Sequence, residues 1–417
     1  MEKLQPKLIA CLKDYSGAQL GKDITAGIIV AIIALPLSIA LALASGVGPE
    51  QGLYTAIFAG FVISLLGGSR VQIAGPTAAF ASIVAGIVAT NGFEGLVMAT
   101  IIAGILLVLM GLCRLGSLIR FIPHTITVGF TSGIALTIAI GQLKDFFGLT
   151  FTHSPVETLE KVEAVFESFA ATWNPMALVI GLAALAILIG VPKIPGFKKV
   201  PPSLIAIIVC AALVKLCNLQ VFTIGDLYTV SSAFPKPSIP AFSLSGIMTV
   251  LPDAVTIAVL AAVESLLSCV VADGMIGDKH NSNMELVAQG AGNICSALFG
   301  GIPATGAIAR TAANIKNGGR SPISGMVHAI VLLLVLLILM PFASLIPMPV
   351  IAAILFVVAY NMSEWREFSG ICKKRNITDI IVLVLTFALT VIFDLVVAIV
   401  VGLIVHAIFT LIKRLKK

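Results

Sequence analysis

The chain has 417 residues, of which 59% are hydrophobic and 11% charged, with a mean hydropathy of +1.10 and a formal net charge of +6. Soluble domains carry about 25% charged residues, so this composition excludes an ordinary water-soluble protein and predicts a polytopic membrane protein. The basic residues are spread over short loops, and we therefore expect no nucleic-acid partner. The seven cysteines form no CxxC pair and show no zinc spacing, so we predict no metal site.

The sequence predicts transmembrane segments from about residue 24 to residue 412. Residues 1–22 contain four lysines but no signal-peptide h-region, and we interpret them as a cytoplasmic lead-in. Apolar runs of about 20 residues then predict fourteen transmembrane segments in two sets of seven. The first repeat, 23–217, holds segments at 24–45, 52–67, 71–90, 94–113, 122–143, 173–190 and 201–217. After an extracytoplasmic connection, 218–249, the second repeat, 250–413, holds 250–272, 284–299, 302–317, 322–341, 344–361, 377–393 and 394–412, and 414–417 form a cytoplasmic tail.

The basic residues predict the orientation of these segments. With the N-terminus in the cytoplasm, all but four of the 26 Lys and Arg residues fall on the cytoplasmic side, and the exceptions are Lys144, Lys161, Lys215 and Lys236. This distribution follows the positive-inside rule. We therefore predict a multi-pass protein of the bacterial inner membrane with both termini in the cytoplasm.

Two stretches of sequence repeat the same order of features. Residues 60–80 and 292–310 each contain a small-residue helix, a Gly-Gly pair, a short extended stretch and a new helix opened by Gly, Pro or Thr. Seven spans per repeat, an odd number, would place the two copies in opposite orientations, as in secondary transporters. The predicted fold class is thus an all-α polytopic membrane protein with a 7+7 inverted repeat and two discontinuous half-helices, each preceded by a short extended stretch.

The two breaks predict the position of a binding site. After Gly67-Gly68 a half-helix should begin near Thr77, and after Gly300-Gly301 another should begin around Thr305-Gly306-Ala307. A helix N-terminus offers unpaired N–H groups and about half a positive charge. Two opposed N-termini near the midplane would suit an anion without any buried Arg or Lys. The alternative is that both breaks are ordinary Gly/Pro kinks.

Glu264 is the most informative ionisable residue. It lies in the middle of the segment 250–272, where an ionised carboxylate costs about 3 kcal/mol on insertion scales. Protonation removes that cost, and a carboxyl group that binds and releases a proton beside an anion site suits a proton-coupled carrier. The alternative is a neutral, hydrogen-bonded structural Glu. Ser268 follows one helical turn later and could contact the substrate.

Other polar residues are predicted to be structural. We interpret Arg310 as a cytoplasmic anchor, with attraction of anions to the inner mouth as the alternative. His328 is interpreted as a structural side chain and Asp394 as an N-cap or interfacial acid of the last span. No GxxxxGK[ST], GxSxG, HExxH or GxGxxG motif stands in a suitable context. We therefore predict that the chain is not an enzyme, carries no cofactor and does not drive transport with ATP.

Four runs of sequence resemble the SulP family of sulfate-permease-type anion transporters over nearly the whole chain from about residue 20. They are ALPLSIALALASGVGPEQGLYT (34–55), GGSRVQIAGPTAAF (67–80), ESLLSCVVADGMIGDKHNSNMELVAQGAGNI (264–294) and GGIPATGAIARTAANIKNGGRSPIS (300–324). Within the family, AGPTAAF, the Glu-Ser pair at 264–265, DGMIGDKH and YNMSEW are most similar to proton-coupled C4-dicarboxylate transporters.

The resemblance implies a fold shared with uracil permeases, with a core domain (spans 1–4 and 8–11), a gate domain (spans 5–7 and 12–14), elevator-like transport and a homodimer. It implies a substrate site formed by Thr77, Ala78, Ser268, Thr305, Gly306 and Ala307, with Glu264 as the proton-coupling residue. In the sodium-coupled bicarbonate branch an Asp stands in place of Glu264, and Ile308 is apolar here, so sodium coupling is not expected. Most members carry a C-terminal STAS domain. This chain stops at Lys417, and we expect no regulation through such a domain here.

The predicted function is symport of a small anion with protons, with a C4-dicarboxylate such as fumarate or succinate as the substrate. Sulfate, or bicarbonate with sodium, is the alternative within the family. An anion channel is a further alternative, and a nucleobase permease or a membrane enzyme fits the motifs less well.

Overall fold

A computed structural model describes residues 4–13, 15–117, 123–153, 155, 157–195, 200–374, 376–393 and 395–415, with backbone only for 395, 396 and 412–415. Asp394, predicted as an N-cap, lies outside the described residues.

Helices account for most of the described residues. They are α1 (Lys7–Leu12), α2 (Gly17–Ala44), α3 (Pro49–Tyr54), α4 (Gly60–Leu66), α5 (Ala78–Leu112), α6 (His124–Phe147), α7 (Thr158–Thr172), α8 (Pro175–Gly190), α9 (Pro202–Leu216), α10 (Ile224–Leu227), α11 (Leu244–Ile276), α12 (Ser282–Leu298), α13 (Ile308–Lys316), α14 (Ile323–Ala343), α15 (Met348–Met362), α16 (Trp365–Lys373), α17 (Ile377–Ile392) and α18 (Leu395–Leu415). A π-helical turn, Thr55–Ala59, joins α3 to α4. A short 3-10 helix, Val191–Lys193, follows α8. Two strands of two residues each, β1 (Ala74–Gly75) and β2 (Thr305–Gly306), lie before α5 and α13.

Length and composition confirm the membrane class. Among the described residues, eight helical runs are long and apolar enough to cross a membrane, and three shorter helices are also apolar. The run α5 contains a break at Gly92, whose φ of 68° is readily adopted only by glycine, and the break separates the predicted segments 71–90 and 94–113. The count of fourteen spans stays a prediction.

The helices pack in two groups. In one group α5 packs on α11 and α12, while α2 and α4 pack on α14. In the other, α6 packs on α15 and α17, and α8 packs on α9 and α15. The same division follows from the core and gate domains that the family resemblance implies. The functional residues predicted above all lie on the first group.

Small residues bring the helices of the first group close together. Gly104 of α5 lies against the backbone of Gly290 in α12, so that a Cβ on either residue would collide with the other helix. Close backbone approach through glycine is a common way for helices to associate in a membrane, where burial of apolar surface contributes little. The contact holds α12 beside the two breaks.

Candidate functional site

The two predicted breaks meet in one short antiparallel sheet. Ala74 pairs with Gly306 and Gly75 with Thr305, so the two strands run in opposite directions beside each other. The half-helix α5 then begins at Ala78, and α13 begins at Ile308, slightly later than predicted. Neither break is an ordinary kink, because both stretches before the helices are extended. Each helix start offers N–H groups that have no partner within its own helix.

Side chains from neighbouring helices satisfy the backbone of these extended stretches. The backbone N–H of Ile73 donates to Oγ1 of Thr311 at 3.0 Å. Asn293 of α12 makes two hydrogen bonds with Ala304, accepting from its N–H at 2.8 Å and donating to its carbonyl at 2.9 Å. Non-helical backbone at membrane depth requires such internal partners. The strands are therefore stable parts of the fold.

Glu264 lies at the start of the first half-helix. Oγ1 of Thr77, the residue that precedes α5, donates a hydrogen bond of 2.8 Å to Oε2 of Glu264 on α11. The structure thus brings together three predicted site residues, Thr77, Ala78 and Glu264. A carboxyl group at this position interacts favourably with the N-terminal end of a helix when it is ionised. Their roles in substrate binding and proton coupling stay predictions.

The remaining predicted site residues differ in how far their side chains are exposed. Ser268 is fully buried and its hydroxyl donates to Thr311 over 3.4 Å, while the hydroxyl of Thr305 donates to the carbonyl of Ala261 at 3.0 Å. Both side chains thereby connect α11 to the second break. Gly306 is covered by the side chain of Gln72. Ala307 is half-buried, so it is the residue of this set with the most open surface.

Arg310 corrects two predictions from the sequence. It is 2% exposed, and its Nη2 donates a hydrogen bond of 2.8 Å to the carbonyl of Pro76, just before α5. The predictions of a cytoplasmic anchor and of a site without buried Arg or Lys were therefore wrong. Side chains on a helix point towards its N-terminus, so Arg310 in the first turn of α13 reaches back to the strands. Its Nη1 lies against Gly75, where any Cβ would collide with it.

The guanidinium of Arg310 is only partly satisfied. Among the described residues, its Nε and Nη1 atoms are buried without a hydrogen-bond partner. A buried cation is costly unless it is paired, and its free N–H groups are donors that a bound anion could use. The signal in the sequence was an ionisable residue inside a predicted span, which is by default a functional candidate.

Glu285 is a second residue that the sequence analysis missed. Its carboxylate is fully buried and accepts hydrogen bonds from the N–H of Gly68 at 2.9 Å and from Nε2 of both Gln72 and Gln289 at 2.8 Å. Gln72 in turn lies against Gly306 of the second strand. Glu285 therefore holds the turn after α4 and, through Gln72, the strand pair. It too is an ionisable residue within a predicted span, 284–299.

The site holds one guanidinium and one carboxyl group at a single helix start. Arg310 donates a hydrogen bond to the carbonyl of Pro76, and Glu264 accepts one from the hydroxyl of Thr77. Pro76 and Thr77 are adjacent in the chain. No group of three His, Cys, Asp or Glu side chains within the described residues could hold a metal ion. An ionised Glu264 would repel an anion at this helix start, whereas a protonated Glu264 would not, and Arg310 supplies a positive charge nearby.

Comparisons with known proteins show the family of this chain. The family model described as "Sulfate permease family" matches residues 20–386. YvdB of Bacillus subtilis (strain 168), whose name gives it as a candidate sulfate transporter, is 44% identical over 406 residues, covering 95% of this chain and 74% of that protein. The bicarbonate transporter BicA of Picosynechococcus sp. is 33% identical over 93% of this chain and 70% of its own length.

Two solved structures share the fold. The transmembrane domain of a cyanobacterial BicA superposes with a TM-score of 0.80 at 30% identity, covering 94% of this chain and 98% of that one. SLC26A9 superposes with a TM-score of 0.88 at 20% identity over 97% of this chain and 68% of its own. The resemblance to the SulP family is thereby confirmed.

Proposed function

We propose that this chain, an anion transporter that belongs to the sulfate permease family, is a secondary active transporter that takes up a C4-dicarboxylate such as fumarate or succinate together with protons. The observation that carries the proposal is the pairing of Glu264 and Arg310 with the adjacent residues Thr77 and Pro76.

Charge balance couples the proton to the anion. With Glu264 ionised, its negative charge repels an anion at the start of α5, and an anion gains little by entering. With Glu264 protonated, the guanidinium and the two helix N-termini are left with a net positive charge that an anion can neutralise. Protonation and anion binding then favour each other, and such coupling is reciprocal between the two ligands.

Energetics requires a coupled ion. Each negative charge that enters against an interior-negative potential costs about 2.3 kcal/mol per 100 mV. A dianion at roughly 150 mV therefore faces about 7 kcal/mol, and co-transported protons offset that cost. The buried guanidinium also disfavours a sodium ion at this position, since like charges repel.

The family resemblance supports the further parts of the proposal. The group of helices around α5, α11 and α12 moves as an elevator against the group around α6, in a homodimer in the bacterial inner membrane. The N-terminus and the C-terminal end of the chain face the cytoplasm, and the fourteen spans form a 7+7 inverted repeat.

Sulfate is the second candidate substrate, because the name of YvdB, at 44% identity, refers to it. Sulfate is also a dianion, so the charge argument fits both substrates. Bicarbonate, the substrate in the name of BicA, is third.

Uptake into proteoliposomes tests the proposal. Labelled fumarate, sulfate and bicarbonate are offered separately, each with and without an inward proton gradient and sodium. We expect fumarate to accumulate with the proton gradient and without sodium. Accumulation of sulfate or bicarbonate alone would refute the substrate, sodium dependence would refute the coupling ion, and large currents without accumulation would indicate a channel.

A substitution at Glu264 tests the coupling residue. We expect Glu264→Gln to abolish proton-driven accumulation while retaining substrate exchange, because the amide cannot release a proton. The matched control is Glu94→Gln, the same change at an exposed residue of α5, and it should accumulate substrate as the parent does. Normal accumulation by Glu264→Gln would show that the coupling role is wrong.

A further inference from the structure

A cavity of about 370 Å³ lies between the two groups of helices. Its walls come from α5 and α11 on one side and from α6, α7 and α17 on the other. Along α5 the cavity reaches from Ala79, in the first turn and two residues after Thr77, to Thr90. Lys161 of α7 also lines it. Residues 79–90 of α5 cover about 16 Å. The cavity therefore connects the helix start at the candidate site with the surface that carries α7.

Lys161 is the cationic side chain of the described cavity lining. It lies on α7, in the segment 144–172 that the positive-inside rule assigns to the outer side of the membrane. Its side chain is half-buried in the cavity wall, and within the described part of the chain no salt bridge includes it. Burial lowers the pKa of Lys161, and the nearby charge of Glu160 opposes that effect.

The acidic groups at the cavity interact with neutral donors. Asp253 of α11 accepts a hydrogen bond of 3.1 Å from Nδ2 of Asn91. Glu157 caps α7 by accepting from the backbone N–H of Glu160, whose own carboxylate accepts from the N–H of Glu157. Of these carboxylates, Glu160 is the one whose charge acts on Lys161. Among the described residues, no salt bridge joins Lys161 to a carboxylate.

Four of the five threonines in the cavity wall have hydroxyl groups that already donate a hydrogen bond. These hydroxyls donate to the backbone of their own helices and belong to Thr90, Thr137, Thr256 and Thr390. An anion needs donors, and a hydroxyl whose hydrogen is already engaged presents only lone pairs. The ammonium of Lys161, with three N–H donors, is therefore the group in this wall best suited to a carboxylate or sulfate.

We propose that Lys161 forms an outer binding site that captures the incoming anion before it reaches the helix start at Ala78. The inference rests on the proposed function, because it assumes that an anion enters through this cavity. A charge at the entrance of a cleft raises the local concentration of an oppositely charged ligand and speeds its association. Lys161 thus acts on capture of the substrate and leaves the coupling step to the residues around Glu264.

Kinetics of uptake tests this site. We expect Lys161→Gln to raise the KM for external substrate about threefold to tenfold with Vmax nearly unchanged, and to weaken the dependence of KM on ionic strength. Lys161→Arg should retain both properties because it keeps the charge. The matched control is Lys236→Gln, a change at an exposed lysine of the same predicted side, which should behave as the parent does.

Chemical modification separates charge from folding. Lys161→Cys is made in a background in which the exposed Cys113 and Cys217 are replaced by Ser. The folded protein is then treated from outside with membrane-impermeant methanethiosulfonates that attach either a trimethylammonium or a sulfonate group. We expect the cationic adduct to lower KM towards the parental value and the anionic adduct to raise it further. The same labels at Lys236→Cys should change nothing.

The outcomes distinguish the two proposals. If the parent takes up none of the tested anions, the proposed function fails. If the parent takes up an anion but Lys161→Gln keeps its KM and salt dependence, the outer site is refuted. The same holds if adducts of opposite charge act alike, or if only labels applied from the cytoplasmic side have an effect.

Discussion

Replacing Arg310 should separate stability from function. In Arg310→Gln the hydrogen bond to the carbonyl of Pro76 and the buried positive charge are both lost. A hydrogen bond made by a charged group contributes about 1.5–3 kcal/mol. If a bound anion gains one such bond from the unpartnered Nη1 or Nε atoms, the loss corresponds to about a tenfold to 150-fold weaker affinity.

The empty protein should respond in the opposite direction. Two guanidinium nitrogens are buried without a partner among the described residues, and removing an unpaired buried charge relieves its desolvation cost. We therefore expect the melting temperature of Arg310→Gln without substrate to be equal to or above that of the parent. Substrate should raise the melting temperature of the parent but scarcely that of the variant.

The assay is thermal unfolding in detergent over a range of fumarate and sulfate concentrations, together with uptake KM in proteoliposomes. The control is Arg320→Gln, because the guanidinium of Arg320 donates to the carbonyls of Ile315 and Gly319 at the other end of α13. We expect it to lower the melting temperature without weakening substrate binding. Parental affinity in Arg310→Gln, or a parallel loss of stability and affinity, would refute the reasoning.

Three further changes test the surroundings of the site. Gly75→Ala should raise the KM, because the new Cβ displaces the guanidinium that lies against this residue, whereas Gly274→Ala on α11 meets open space and should leave uptake unchanged. Glu285→Gln should lower the melting temperature, because an NH2 group that cannot accept replaces one carboxylate oxygen and at least one of the three N–H donors loses its acceptor, at about 1–3 kcal/mol for each donor left unsatisfied. For Asp278, burial raises the pKa, but the N–H of Lys279 and nearby cations outweigh burial and lower it. Its contribution to stability is therefore present above the ordinary pKa of about 3.9 and is lost as the pH falls through the folded value. Melting curves between about pH 6 and pH 3 should decline less in Asp278→Asn than in the parent, and equal declines would contradict this.

Local sequence was sufficient to predict the membrane class and the breaks at 67–77 and 300–307. Apolar run length is a property of consecutive residues, and Gly-Gly and Gly-Pro pairs disfavour a continuous helix through their own backbone preferences. Glu264 could be singled out for the same reason, since its cost depends on its depth in one apolar segment. The family resemblance followed from contiguous motifs as well.

Tertiary structure alone decided which distant groups share the site. Arg310 was interpreted as a cytoplasmic anchor because its sequence neighbours do not show that α13 starts beside β1. Its hydrogen-bond partner, Pro76, lies 234 residues away in the chain. The same holds for the hydrogen bond between Thr77 and Glu264. It also holds for the three N–H groups that donate to Glu285, because each contact depends on how separate segments pack together. The depth of a side chain in the membrane can be read from its own segment, but its partners are set by the packing of helices that are far apart in the chain.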